Sequence, residues 1–143
     1  MPVLSRRGRL AIAAVVDIAI HGREAPVAAK ALAQRHALPP RHLEPLLQNL
    51  VRAGILRGMR GPRGGYDIAR DGRKISCGEI VRAVTTVSED DAEEATVLMT
   101  SVVEPAIAEA ERRFFAELDR VAVADLCAAA LDPARGVPSL APA

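Results

Sequence analysis

From Leu10 to Ile20 the chain is almost continuously apolar, interrupted only by Asp17, and these positions cover most of the circumference of a helix. The pattern predicts a central, buried helix over about Ser5 to His21, with Ser5 as N-cap and Gly22 as its stop. A second helix is expected over about Ala28 to His36, with Ala29, Leu32 and Ala33 on one face. After the turn Ala37-Leu38-Pro39-Pro40, Leu43, Leu46, Leu47, Leu50 and Val51 form a buried stripe on a third helix that Gly54 ends. Pro45 has no amide to offer the carbonyl of Arg41, so either the first turn is distorted or this helix begins late. Two short helices joined by a tight turn, the second polar at its start, match a helix-turn-helix.

Ile55 to Arg60 and Tyr66 to Ala69 then read as two short strands around Gly61-Pro62-Arg63-Gly64-Gly65. A hairpin directly behind a helix-turn-helix is a wing. Ser76 and Glu79 are spaced as a capping box ahead of Ile80, Val81, Ala83 and Val84, which predicts a fourth helix. Thr86 to Glu94 is polar and acidic and reads as a linker. From Ala95 to Val121 a long stripe follows: Met99, Val103, Ile107, Ala110, Phe114, Leu118 and Val121. Part of it must pack on the chain's own domain, and a two-fold mate would cover the rest. Pro105 predicts a kink, or a helix start near Val103 to Glu104. A last helix is expected over about Ala124 to Leu131, ended by Pro133. The expected fold is mostly α with a small β-hairpin: a winged helix-turn-helix over 1–86, a linker and dimerisation helices over 87–132, and a disordered tail over 133–143.

Composition sharpens this picture in two ways. Only Tyr66, Phe114 and Phe115 are aromatic, so the core is built from Ala, Leu, Val and Ile. The net charge of +1 conceals a split: residues 1–86 hold 15 Lys or Arg against six Asp or Glu, and residues 87–143 hold four against twelve. A basic first half suits a polyanionic partner. No stretch reaches the roughly 18 apolar residues that span a bilayer, and Asp17 breaks the one run that resembles a signal peptide. Cys77 and Cys127 lie far apart and form no CxxC, which fits a reducing cytoplasm better than a disulfide scaffold. His21, His36 and His42 form no metal-spaced set, and no Ser/His/Asp, P-loop or GxGxxG motif is present, which argues against an enzyme.

The segments Leu4-Ser5-Arg6-Arg7-Gly8-Arg9, Leu43-Glu44-Pro45-Leu46-Leu47, Arg52-Ala53-Gly54-Ile55-Leu56, Arg60-Gly61-Pro62-Arg63-Gly64-Gly65-Tyr66 and Ile75 to Val84 together resemble the Rrf/IscR-like family of bacterial winged-helix transcription regulators. The resemblance covers a little over half the chain and continues weakly in Val123-Ala124-Asp125-Leu126. It implies double-stranded DNA as partner, a homodimer built on a long crossing helix over 95–121, and an unidentified effector ligand or protein. Many members hold an iron–sulfur cluster on three closely spaced cysteines between the fourth helix and the long helix. Thr85 to Val103 contains no cysteine, so the expectation is a cluster-free member with no cofactor and no metal.

On this reading Ser5, Arg6 and Arg7 contact phosphate at the positive end of the first helix. Pro39, Arg41, His42 and Glu44 open the recognition helix, where Arg41 can donate to guanine and Glu44 can accept from cytosine. In the wing, Gly61 and Gly64 let the backbone approach a groove wall, Arg60 and Arg63 can enter a narrow minor groove, and Tyr66 completes the motif. Many relatives carry glycine where this chain has Arg63. Met99, Val103, Ile107, Ala110, Phe114 and Leu118 are the expected dimer contacts. Cys77 is a possible redox site, since the first turn of a helix behind Arg73 and Lys74 lowers a thiol's pKa; the plainer role is a small apolar filler. The function expected is a DNA-binding transcriptional regulator, a repressor that acts as a homodimer on a roughly palindromic operator. The alternatives are a winged-helix module controlled by a protein partner such as a metabolic enzyme, and a thiol-based redox sensor.

Overall fold

The structure is a computed structural model that describes residues 3–85 and 96–135. Its elements run in the order α1 (Arg6–His21), α2 (Ala29–Arg35), α3 (Pro40–Arg52), β1 (Leu56–Met59), β2 (Gly65–Ile68), a 3-10 turn (Gly72–Lys74), α4 (Cys77–Val84), α5 (Glu104–Asp119) and α6 (Val123–Ala130). The chain is mostly helical with one antiparallel two-stranded hairpin, as its hydrophobic pattern predicts. The linker expected at 86–94 and the end of the tail lie outside the described residues. Pro133–Arg135, assigned by sequence to the tail, form a short 3-10 turn.

The central position expected for α1 is observed. Ala11, Ala14, Val15 and Ile18 are fully buried, and the helix packs against α4, α6 and β2. Ser5 is its N-cap, with Oγ accepting from the Gly8 amide at 3.2 Å, and Gly22 closes it by donating to Ile18 at 2.7 Å. Leu43, Leu46, Leu47 and Leu50 of α3 are buried in the same cluster. At roughly 1.5–3 kcal/mol per fully buried leucine, this one face is a major part of what holds the helix-turn-helix on the body of the domain.

The turn between α2 and α3 ends α2 in a Schellman arrangement. Leu38 donates to the carbonyl of Ala33 at 2.9 Å and Ala37 to that of Gln34 at 3.3 Å. This requires a left-handed residue at Ala37, whose φ is 52°, although alanine has none of glycine's freedom there. Helix α3 does not begin late. It starts at Pro40, behind the N-cap Pro39, and keeps Pro45 inside it. Its first turn is tightened, with His42 donating to Pro39 three residues back at 3.0 Å.

The hairpin pairs Leu56 with Ile68 and Met59 with Gly65. Near the turn end of the ladder, β2 is fixed by backbone hydrogen bonds in both directions between Val27 and Tyr66, each 2.8 Å. Beyond it, Ser76 Oγ accepts from the Glu79 amide at 3.1 Å and starts α4 where the capping-box spacing predicts. Helix α6 returns to the N-terminal core: Val123 is fully buried there, and a bridge joins Ser76 to Ala122.

The break expected at Pro105 takes a specific form. Met99–Val103 is a π-helical segment running directly into α5, and the Glu104 amide donates to Met99, five residues back. An extra residue in the turn ahead of Pro105 lets the helix accommodate a position with no amide to donate.

Candidate nucleic-acid interface

Helix α3 is flanked on both sides by the other predicted contact elements. On one side a cleft of about 510 Å³ is bounded by Arg6, Arg7 and Leu10 of α1, by Leu38 and Pro39 of the turn, and by His42 and Leu46 of α3. The start of α1 and the start of α3 therefore line one surface. On the other side a groove of about 330 Å³ lies between Gln48 and Val51 of α3 and Met59, Arg60 and Tyr66 of the hairpin. The Tyr66 hydroxyl accepts from Gln48 Nε2 at 3.4 Å, so this tyrosine is a half-buried strut between helix and wing.

Arg41, His42 and Glu44 are exposed on the first turns of α3. Pro39 is exposed ahead of them as the N-cap, and it offers the helix no side-chain hydrogen bond. Ser5 and Arg6 are exposed. Arg7 is not free for a ligand in the same way, because its Nε donates to the carbonyl of Val84 at 3.0 Å and ties α1 to the end of α4. Residue type alone gave no hint of that tether.

The wing tip is a tight turn. Gly61 has φ of +109°, Gly64 donates back to the Gly61 carbonyl at 2.9 Å, and a Cβ on Gly64 would run into the Met59 carbonyl. Arg60 and Arg63 are exposed on this turn, and among the described residues neither makes an ion pair or hydrogen bond. Several other arginines are neutralised: Arg57 by Asp67 (3.2 Å), Arg70 by Glu79 (2.5 Å), Arg73 by Asp71 (2.8 Å) and Arg82 by Asp119 (2.7 Å). The Arg73 hydrogen bonds hold the Asp71 carboxyl down at about 2. Among the described residues the first half thus has five arginines paired with carboxylates, and those without such a partner include Arg6, Arg41, Arg60 and Arg63 around α3 as well as Arg9, Arg23 and Arg52.

A feature that residue order did not reveal lies behind the helix-turn-helix. Asp17, 1% exposed, accepts from Arg35 Nε at 2.9 Å and Nη2 at 2.6 Å, and meets His36 Nε2 at 2.9 Å and His21 Nδ1 at 3.0 Å. Burial opposes its ionisation, but the Arg35 hydrogen bonds and charge, helped by His36 and His21, outweigh this and hold the carboxyl below its ordinary value. The cluster fastens the last turn of α2 to α1, one residue ahead of the strained Ala37.

The surroundings of Cys77 suit the plainer of its two expected roles, a small apolar filler. Cys77 does open α4, but its side chain is 2% exposed, and burial, with the Asp125 charge, pushes the thiol up. Burial also raises Cys127, against a smaller opposing effect of Arg23. Of the expected dimer stripe, Met99 (43%), Val103 (39%), Ile107 (53%) and Ala110 are exposed, whereas Phe114 and Leu118 are half-buried. Val97, Leu98 and Val102 widen the exposed apolar patch beyond the stripe.

A three-helix unit with a hairpin wing, α3 set between two basic edges, defines a winged helix-turn-helix. The chain belongs to the Rrf2 family, described as iron-dependent transcriptional regulators, whose model matches residues 4–129. It is similar to the HTH-type transcriptional regulator IscR of Vibrio vulnificus, 36% identical over 81 residues, 57% of this chain and 48% of that one. The chain thus spans about half the length of the curated relatives it matches. Among solved structures, T. potens IscR aligns with a TM-score of 0.72 and 30% identity over 92% of this chain and 90% of that one. CymR, the global cysteine regulator of B. subtilis, aligns at 0.66 and 28% identity over 90% and 98%.

The family description implies iron, and the residues present do not fit a cluster. The chain has two thiols, one buried on α4 and one half-buried on α6, and among the described residues no three His, Cys, Asp or Glu are placed to share a metal. Among the described residues no helix is long and apolar enough to cross a membrane.

Proposed function

We propose that this chain is a cluster-free transcriptional regulator that binds double-stranded DNA as a homodimer and acts as a repressor on an operator with two-fold symmetry. The observation that carries this reading is the distribution of unpaired cations. Arg6, Arg41, Arg60 and Arg63, at the two edges and the start of α3, have no carboxylate partner among the described residues, while Arg35, Arg57, Arg70, Arg73 and Arg82 are neutralised. Unpaired guanidinium groups flanking an exposed helix start are what a phosphate backbone recruits, and the releases of counterions that follow make such binding salt-dependent.

In this arrangement α3 lies in the major groove, with Arg41 and Glu44 towards base edges. Ser5 and Arg6 take phosphates on one side, and the wing holds the duplex on the other. The apolar patch of Met99, Val103 and Ile107 supports a two-fold partner along the long helix, which sets two copies of α3 on successive half-sites.

The test is a salt titration of duplex binding by the wild type and by the double variant Arg60→Ala/Arg63→Ala. The slope of log K against log salt should fall by about four for the variant dimer, one for each lost phosphate contact and two contacts per protomer. Unchanged affinity and slope would remove the wing from the interface. Anaerobically purified protein should also show no visible iron–sulfur absorbance; a brown preparation would overturn the cluster-free reading.

A further inference from the structure

We propose that the cavity between α1, the stem of the hairpin and α6 binds a small aliphatic monocarboxylate, and that its occupancy alters affinity for a duplex. The binding site stands by itself; its effect on a duplex rests on the DNA-binding reading above.

The cavity holds about 460 Å³, and none of its lining residues belongs to the contact set proposed for the duplex. Small-molecule sites span about 300–1,000 Å³. Ala19 of α1, Ile68 of β2, Ala124, Cys127 and Ala128 of α6, and Leu131 behind it give an apolar lining. Two close approaches hold its edges. A Cβ on Gly22 would come within 2.9 Å of Asp67 Oδ1, and one on Gly72 within 3.4 Å of the Ala124 amide. The end of α1 thus touches β2, and the 3-10 turn touches α6, so the cavity is a gap between braced elements.

Four charged groups line it, and three are already engaged. Asp67 accepts from Arg57 at 3.2 Å and from the Ile68 amide at 2.8 Å, and Asp71 accepts from Arg73 at 2.8 Å. The fourth, Arg23, is exposed and makes no ion pair or hydrogen bond among the described residues. Its charge is felt inside, where it works against the burial that raises the Cys127 thiol. One uncommitted guanidinium beside an apolar lining complements one carboxylate on an aliphatic body, because the planar fork can grip both carboxylate oxygens. A cationic ligand would meet repulsion, and a doubly charged anion would find no second free cation.

The position of the cavity links it to the surface around α3. Ile68 is two residues from Tyr66, whose hydroxyl accepts from Gln48 of α3. Ala19 lies between Asp17 and His21, members of the cluster that holds the end of α2. A ligand that clamps α6 onto β2 and α1 therefore biases both the wing and the helix-turn-helix.

The test is two-dimensional amide NMR of the isotope-labelled full chain, titrated with hexanoate, hexylamine or hexanol at constant ionic strength. Hexanoate should shift the amides of Ala19, Ile68, Ala124 and Ala128 saturably, with a midpoint of about 1–10 mM, a range open to about eight non-hydrogen atoms. Hexylamine and hexanol should bind at least about fivefold more weakly, and Arg23→Gln should weaken hexanoate by a similar factor. Ala128→Phe, an exposed change that fills the cavity, should abolish the saturable shifts with an unchanged circular dichroism spectrum. Hexanol binding as tightly as hexanoate, wild-type affinity in either variant, or hexanoate shifts confined to the surroundings of Arg6, Arg41, Arg60 and Arg63 would each overturn the site. So would the absence of any saturable shift up to about 50 mM. Saturating hexanoate should also change duplex affinity at least about threefold. Unchanged affinity with the site occupied would overturn the coupling. Failure of the ligand-free chain to bind any duplex would instead overturn the DNA-binding reading, and the coupling with it.

Discussion

Replacing Asp17 by asparagine removes a buried charge that holds the helix-turn-helix to α1 while keeping the side chain's shape. The carboxylate is 1% exposed and serves three partners, Arg35, His36 and His21, whose side chains are 23–25% exposed. Truncating one member of a fully buried ion pair costs about 3–5 kcal/mol, because the remaining charge is stranded. Here the stranded partners lie near the surface and recover part of their hydration, and the asparagine oxygen still accepts one bond. The expected loss at pH 7 is therefore about 2–3 kcal/mol, or a fall in Tm of about 5–10 °C for a domain of this size. Urea unfolding followed by far-ultraviolet circular dichroism measures it, with an unchanged m-value showing that the compactness of both states is preserved. The pH dependence follows from the direction of the shift. The folded carboxyl titrates below its ordinary value of 3.8, so its contribution is complete above that pH and is lost as pH falls through the lower, folded value. The gap between wild type and Asp17→Asn should narrow below about pH 4. Asp71, Asp119 and Glu109 titrate low in both proteins, so the difference isolates Asp17. A loss under about 0.5 kcal/mol at pH 7, or a gap that persists unchanged at pH 3, would refute the reasoning.

Other expectations are as direct. Ala37→Gly should stabilise the fold by about 0.5–1 kcal/mol, since it relieves a left-handed alanine; destabilisation in the same urea assay would contradict the strain assigned to this turn. Ile107→Glu places a charge in the exposed apolar patch and should give monomers by light scattering with an intact circular dichroism spectrum, whereas a persistent tight dimer would move the seam elsewhere. Burial of Cys77 and Cys127 should slow labelling by an aromatic disulfide at pH 7 about tenfold or more relative to the urea-unfolded chain. Labelling of the native protein at the free-thiol rate would restore Cys77 as a sensor candidate.

What was legible in the residue order was what local pattern controls. The 3–4 spacing of Leu43, Leu46, Leu47 and Leu50, the Ser76–Glu79 capping box, and strands flanking a Gly- and Pro-rich turn each depend on neighbours within a few positions. What was missed depends on distance. Asp17 showed only as a flaw in an apolar run, since its partner Arg35 is 18 residues away on another helix. Arg7 looked like one more exposed cation until the fold brought the Val84 carbonyl, 77 residues on, to its Nε. The positive balance of the first half was visible, but which arginines are neutralised is a tertiary fact, and it reshapes the candidate site. Cys77 shows the same limit: the helix start that lowers a thiol's pKa was readable, and the burial that raises it was not. Pro105 predicted a break, and the π-helical turn that absorbs it is one of several backbone solutions compatible with that residue.

The central claim is that unpaired arginines around α3 form a surface for a nucleic-acid duplex. Fluorescence anisotropy with a labelled random-sequence duplex, titrated with the wild-type chain from about 50 to 200 mM salt, measures it most directly. The account predicts saturable binding at the low end, with log K falling linearly against log salt. Absence of binding at about 50 mM salt, or affinity indifferent to salt across the range, would contradict it.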